Sequence, residues 1–226
     1  MADLSVKRVI KVAKAELGYK EKPINITKFA ADFDKMYPDF YNTRKQGAEW
    51  CDIFVDWCFV QAYGEKDALK LLCQPKKSAG AGCKYSYQYF KDKKQTGKTP
   101  KVGAQIFFGS KQPTHTGLVI EVDKTTVTTI EGNKDNSVKK CKYPIDSTKI
   151  FGYGYPKYTD TDNSAEIKPV SDSKPKKETT YTVQKGDTLW GISERFLGNG
   201  ARYKEIMEWN NLKSLVIKIG QKLILK

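Results

Sequence analysis

Two residues of this sequence could act together in nucleophilic chemistry: Cys51, and His115, the single histidine among 226 residues. Imidazole is the side chain whose ordinary pKa lies nearest neutrality, so any Cys/His or Ser/His mechanism here must use His115. Cys51 follows the polar stretch of residues 42–49 and stands where a helix is expected to begin. Unpaired backbone N–H groups and the positive end of the helix dipole stabilise a thiolate at such a place. Cys58 comes about two turns later in the same expected helix, on its apolar face, where desolvation keeps a thiol neutral. It is assigned to the core. Cys73, Cys83 and Cys141 fall in or near expected loops with no base in view, and structural or merely tolerated roles are expected of them.

Particular elements must position these groups. Residues 6–17 repeat apolar side chains at helical spacing (Val9, Ile10, Val12, Ala13, Leu17) and stop at Gly18, a good residue for ending a helix. Residues 25–40, with Phe29, Phe33, Met36 and Tyr37, read as a second helical region. A third helix is expected at residues 50–61, with Trp50, Ile53, Phe54, Trp57 and Cys58 on one face. After Pro100 the period changes, and residues 104–108, 116–122, 127–131 and 150–155 read as strands. Helices followed by an antiparallel sheet make an α+β domain. The strand that ends Thr129-Ile130-Glu131-Gly132-Asn133 should lie beside the one opening at His115. Glu131 or Asn133 could then hold one ring nitrogen of His115 in the orientation a nucleophile needs. The plainer readings are a hydrogen-bonded structural histidine and a solvent-facing charge at a strand end.

Composition bounds the rest. An apolar fraction of 39% with 12% aromatics is globular, and no run of about 18 apolar residues is present to span a bilayer. The net charge of +14 favours encounter with a polyanion, either nucleic acid or an anionic wall polymer. The lysines are dispersed and no nucleic-acid-binding signature occurs, so no nucleic-acid partner is expected. Five cysteines, an odd number without CxxC or metal-ligand spacing, imply reduced thiols rather than a disulfide framework. The first residues run directly into an amphipathic pattern without the apolar core of a signal peptide, so synthesis in the cytoplasm is expected. Residues 159–178 are rich in Asp, Ser, Thr, Lys and Pro and contain no aromatic residue. They read as a flexible linker between a domain at residues 1–158 and a small module at residues 179–226.

The order Ala48-Glu49-Trp50-Cys51-Asp52, then Thr114-His115-Thr116-Gly117-Leu118-Val119, then Glu131-Gly132-Asn133, closely resembles the CHAP (cysteine, histidine-dependent amidohydrolase/peptidase) group of papain-like enzymes. The resemblance extends to the closing Phe151-Gly152-Tyr153-Gly154-Tyr155. It implies a thiolate that attacks an amide of the bacterial wall peptide to give a thioester, which water hydrolyses. Cys51 would be the nucleophile and His115 the general base and acid. Glu131 and Asn133 would orient and polarise His115. The Cys51 backbone N–H would serve the oxyanion. Some relatives carry a calcium loop of closely spaced Asp residues before the cysteine; residues 42–50 contain no Asp, so neither a metal nor any other cofactor is expected. Trp50 stands where relatives often have a polar residue, which leaves the substrate subsites open.

The tail resembles the LysM module from end to end: Tyr181-Thr182-Val183-Gln184-Lys185-Gly186-Asp187-Thr188-Leu189-Trp190, then Ile206-Met207-Glu208-Trp209-Asn210, then Ile217-Lys218-Ile219-Gly220-Gln221-Lys222-Leu223. The resemblance implies a βααβ fold that binds N-acetylglucosamine-containing glycan in a shallow groove. By position the groove would be lined by Gly186, Asp187, Thr188 and Leu189 on one side and Leu215, Val216 and Ile217 on the other. Asp187 could equally be a helix cap and Leu189 a core residue. The combined expectation is a monomeric phage or prophage endolysin that cuts peptidoglycan after release, with no membrane insertion. A host autolysin and a catalytically dead wall-binding protein are the alternatives.

Overall fold

A computed structural model describes residues 4–159, 179–184, 187, 189–197, 202–212 and 217–225. The chain divides into two compact units, Met1–Lys168 and Pro169–Lys226. Among the described residues no helix is long and apolar enough to cross a membrane.

The first unit begins with α1 (Val6–Ala15), α2 (Lys28–Met36), α3 (Cys51–Tyr63), α4 (Glu65–Leu71) and α5 (Cys83–Asp92). A six-stranded sheet follows, formed by β1 (Thr96–Gly97), β2 (Gln105–Phe108), β3 (His115–Val122), β4 (Thr126–Glu131), β5 (Lys139–Pro144) and β6 (Ile150–Gly154). The strand order is β1-β6-β2-β3-β4-β5, antiparallel throughout. The helix-then-sheet order read from the sequence is the observed one. Thr159 still belongs to this unit, since its hydroxyl accepts from the Leu4 N–H at 3.1 Å; the rest of the expected linker lies outside the described residues.

The third helix departs from expectation in one respect. Instead of an apolar stripe it is buried nearly all round: Asp52, Val55, Asp56, Phe59 and Val60 are as enclosed as Ile53, Phe54 and Cys58. Its neighbours explain this, because α1, α4 and β3 all pack against it. Ile53, Val55 and Val60 are modest helix formers, so tertiary burial, worth roughly 1.5–3 kcal/mol per large apolar side chain, does more for this helix than propensity does. Gly64, at φ +77°, stops it by giving its N–H to Val60 O at 2.8 Å.

Trp50 caps the start of α3 in position only. An indole has no acceptor, so the first N–H groups of α3 receive no side-chain cap. The Trp50 ring is fully buried, 5.6 Å from Phe29 between ring centres, and its N–H is given to Glu21. Trp50 is therefore core and does not line a substrate subsite.

The second unit pairs β7 (Thr179–Thr182) antiparallel with β8 (Lys222–Leu225) and carries α6 (Leu189–Leu197) and α7 (Tyr203–Trp209) between them. Val183, Leu189, Ile192, Ile206, Leu223 and Leu225 form its core. Asn210 ties the end of α7 to β8, accepting from Ile224 N at 2.7 Å and donating to Ile224 O at 2.9 Å. This is the βααβ order expected of the tail.

Candidate active site

Cys51 is the first residue of α3 and His115 the first of β3, and the fold brings their side chains into a hydrogen bond. Glu131, the last residue of β4, arrives through the sheet: β3 and β4 pair with Leu118 opposite Ile130, which puts Glu131 across from Gly117. A side chain at position 117 would block it, because a Cβ there would lie 2.5 Å from Glu131 Cγ. With Gly117 in place the carboxylate reaches His115 Nε2 at 2.8 Å. Glu131 is fully buried, whereas 23% of the His115 side chain is exposed, so the ring is approachable from solvent.

Glu131 is held by more than the histidine. Thr129 gives its hydroxyl to Oε1, and Tyr143 gives its hydroxyl to Oε2 at 3.2 Å. Burial opposes the charge, yet these bonds and the His115 ring keep the carboxyl below its ordinary pKa. With Nε2 engaged by Glu131, the ring also hydrogen-bonds the Cys51 thiol. The His115 ring leans on Phe108 at 5.8 Å between centroids, and Phe108 in turn packs on Tyr143 at 4.8 Å.

The two reacting groups shift each other. Cys51 is drawn down to about 5, most of all by a hydrogen bond from Cys83; burial works against this, and the hydrogen bond and charge of His115 and a backbone hydrogen bond from Thr116 reinforce it. His115 is raised to about 9: burial disfavours its charge, and the hydrogen bonds and charges of Cys51 and Glu131 outweigh that. Between those values the pair is a thiolate and an imidazolium, the state in which sulfur is nucleophilic and the ring can give a proton to a leaving amine.

Sequence reasoning missed the support beneath the nucleophile. Asp52, fully buried, accepts from Ser86 Oγ at 2.6 Å and from Gln105 Nε2 at 2.9 Å. Gln105 also reaches Thr116 Oγ1 at 3.2 Å, next to His115. Burial pushes the Asp52 carboxyl up to about 7, opposed by the bonds from Ser86 and Gln105. Cys83 and Ser86 lie three residues apart and share one face of α5. Each meets one of the first two residues of α3, so α5 fixes the start of the nucleophile helix.

Two expectations need correction. Neither Cys83 nor Cys141 is in a loop: Cys141 lies within β5 opposite Thr129, and Cys83 opens α5, is buried, and has its sulfur 3.6 Å from that of Cys51. Asn133 does not orient His115. The chain turns at Asn133, φ 55°, beyond the end of β4, and its carboxamide donates to Glu49. Cys58 is in the core as expected, its thiol raised well above the ordinary value chiefly by burial. Among the described residues no group of three or more His, Cys, Asp or Glu side chains is arranged to hold a metal.

In the second unit Gly186, Thr188, Leu215 and Val216 lie outside the described residues. Leu189 is a core side chain, 2% exposed, so its side chain does not form a binding surface. The Asp187 carboxylate is committed within the unit: it accepts from Tyr181 Oη at 2.6 Å and Gln184 N at 2.8 Å and pairs with Arg195 at 3.3 Å. It folds back toward β7. Ile217 is half-buried against the core.

Residues 43–133 match the CHAP domain, and residues 181–226 match the LysM domain. The CHAP match contains Cys51, Cys83, His115 and Glu131 together. The chain is also 60% identical over 47 residues to a probable N-acetylmuramidase of Lactococcus lactis subsp. cremoris (strain MG1363), a match covering 21% of this chain and 10% of that protein. It is 43% identical over 65 residues to a probable endopeptidase p60 of Listeria welshimeri, 28% of this chain and 11% of that one. Identity to the cell wall-binding protein YocH of Bacillus subtilis (strain 168) is 57% over 42 residues, 19% and 14% of the two chains. The chain thus spans about a tenth of the length of the first curated relatives it matches. No solved structure matches it.

Proposed function

We infer that this protein is a peptidoglycan hydrolase that cuts an amide bond of the wall peptide with the Cys51 thiolate and is held on the wall by its LysM domain. One observation carries the reading: within the CHAP match, a helix-tip thiol drawn down to about 5 interacts with the single imidazole, which is itself held by a buried carboxylate. In the proposed cycle the Cys51 sulfur attacks the amide carbonyl while the uncapped N–H groups at the start of α3 stabilise the oxyanion. His115 protonates the departing amine, leaving a thioester. It then takes a proton from water, which attacks the thioester and frees Cys51. Glu131 keeps the ring in one tautomer and stabilises its charge.

The muramidase name of one relative belongs to a match about as long as the LysM domain alone, so it does not argue for a glycosidase here. The LysM domain is proposed to bind N-acetylglucosamine-containing glycan through residues 186–188 and 215–217, with the net charge of +14 adding attraction to anionic wall polymers. Five unpaired thiols suit synthesis in a reducing cytoplasm and release by lysis, the route of a phage or prophage endolysin.

Mass spectrometry of digested sacculi tests the reading. New free amino groups are expected, and their position tells an amidase from an endopeptidase; new reducing sugar ends would overturn the amide mechanism. A wall-binding protein without activity would bind sacculi and release nothing.

A further inference from the structure

The proposed amide cleavage does not use Cys83, yet of the four other cysteines this is the one set against the nucleophile. Its sulfur is 3.6 Å from the Cys51 sulfur, close enough for a hydrogen bond and on the inner side of the site, where Cys83 is itself buried. Cys58 lies about 10 Å further along α3, beyond disulfide reach. Cys73 has a different neighbour, the Gln95 carboxamide at 3.0 Å. The two thiols also differ in character, Cys51 favouring the thiolate and Cys83 the neutral form. The ionised sulfur is the one a peroxide oxidises, and the adjacent thiol can resolve the product as it gives up its proton.

We propose that Cys51 and Cys83 form a reversible oxidation site, at which a hydroperoxide converts the nucleophile to a disulfide with Cys83. This rests on reading Cys51 as the ionised nucleophile. In the first step the Cys51 thiolate attacks one peroxide oxygen: an S–O bond forms, the O–O bond breaks, and the other oxygen leaves as hydroxide. The sulfur loses two electrons and the peroxide gains them. In the second step the Cys83 sulfur attacks the Cys51 sulfur. An S–S bond forms, the S–O bond breaks, and the hydroxyl leaves with the Cys83 proton as water. The sulfurs need approach by only about 1.5 Å to reach bonded distance. The ends of α3 and α5 are already fastened side by side through Ser86 and Asp52. The disulfide removes the nucleophile and also shields it from the irreversible sulfinic and sulfonic acids. A dithiol restores it.

The test uses the full chain with hydrogen peroxide as oxidant. The treated protein should become two hydrogens lighter, yield a cross-linked peptide pair containing Cys51 and Cys83, lose wall-lytic activity, and recover it with dithiothreitol. Cys83→Ala and Cys83→Ser, each checked for folding by circular dichroism, should instead gain two or three oxygens on Cys51 and stay inactive after dithiothreitol. Oxygen addition at Cys51 of the unaltered protein without the cross-linked pair would overturn the proposal, as would equal recovery of the Cys83 variants. The mass readout is independent of lysis. Cross-linking in a protein that cuts no amide would overturn the hydrolase reading and sustain this one, whereas amide cleavage without cross-linking would do the reverse.

Discussion

The tip and the middle of α3 carry the same side chain in opposite states. At the first position Cys51 has Cys83, His115 and the Thr116 backbone as hydrogen-bond partners and is drawn toward thiolate. Two turns on, Cys58 is enclosed by apolar packing, and its thiol is raised well above its ordinary value. Both are buried, and burial opposes the thiolate in both. The difference comes from donors and an opposing charge supplied by α5 and β3 at the helix tip. Burial without partners makes a core residue; burial with them makes a nucleophile.

That comparison breaks most sharply at the tip itself. Cys51→Ala should lower sacculus cleavage by on the order of a thousandfold or more while sacculus binding persists, measured by turbidity loss and co-sedimentation. Glu131→Gln should cost on the order of a hundredfold in kcat. An amide in place of the carboxylate would present an N–H group to Thr129, Tyr143 or the ring, all of which now donate to Glu131 or are held by it. Gly117→Ala should reduce kcat by about tenfold or more by displacing Glu131 from His115, with far-UV circular dichroism unchanged. In the middle of the helix, Cys58→Ser should retain activity and lose about 1–3 kcal/mol in denaturant unfolding, the cost of a hydroxyl without a partner. A Cys58 variant as inactive as the Cys51 variant would move the nucleophile.

Legibility followed the same division. The tip was readable because a cysteine at a helix start, a single histidine at a strand start and a carboxylate at the next strand's end are local patterns. The order of three of the five helices and four of the six strands of the first unit followed from apolar periodicity, as did the starts of α1 and α3 to within a residue, whereas α4, α5, β1 and β5 did not. What supports the tip was not readable. The buried face of α5 is Cys83, Ser86 and Phe90, too polar to register as an apolar stripe, while Tyr85, Tyr87 and Tyr89 alternate as a strand would. Cys83 looked idle because its partner is 32 residues away in the chain. β5 is a lysine-rich edge strand, largely exposed, yet it delivers Tyr143 to Glu131. Asn133 was misassigned because strand pairing ends at Glu131 and the chain turns immediately afterwards.

The central claim is that Cys51 is ionised by its neighbours. Its alkylation by iodoacetamide, followed by peptide mass spectrometry across pH, tests this most directly. As pH rises the deprotonated fraction should appear through a midpoint near 5. The midpoint should move upward in His115→Gln, because the cation that favours the thiolate is gone, and upward again in Cys83→Ala, which removes the donor. A midpoint at the ordinary thiol value of about 8.5 in the unaltered protein, or one indifferent to His115, would contradict the account.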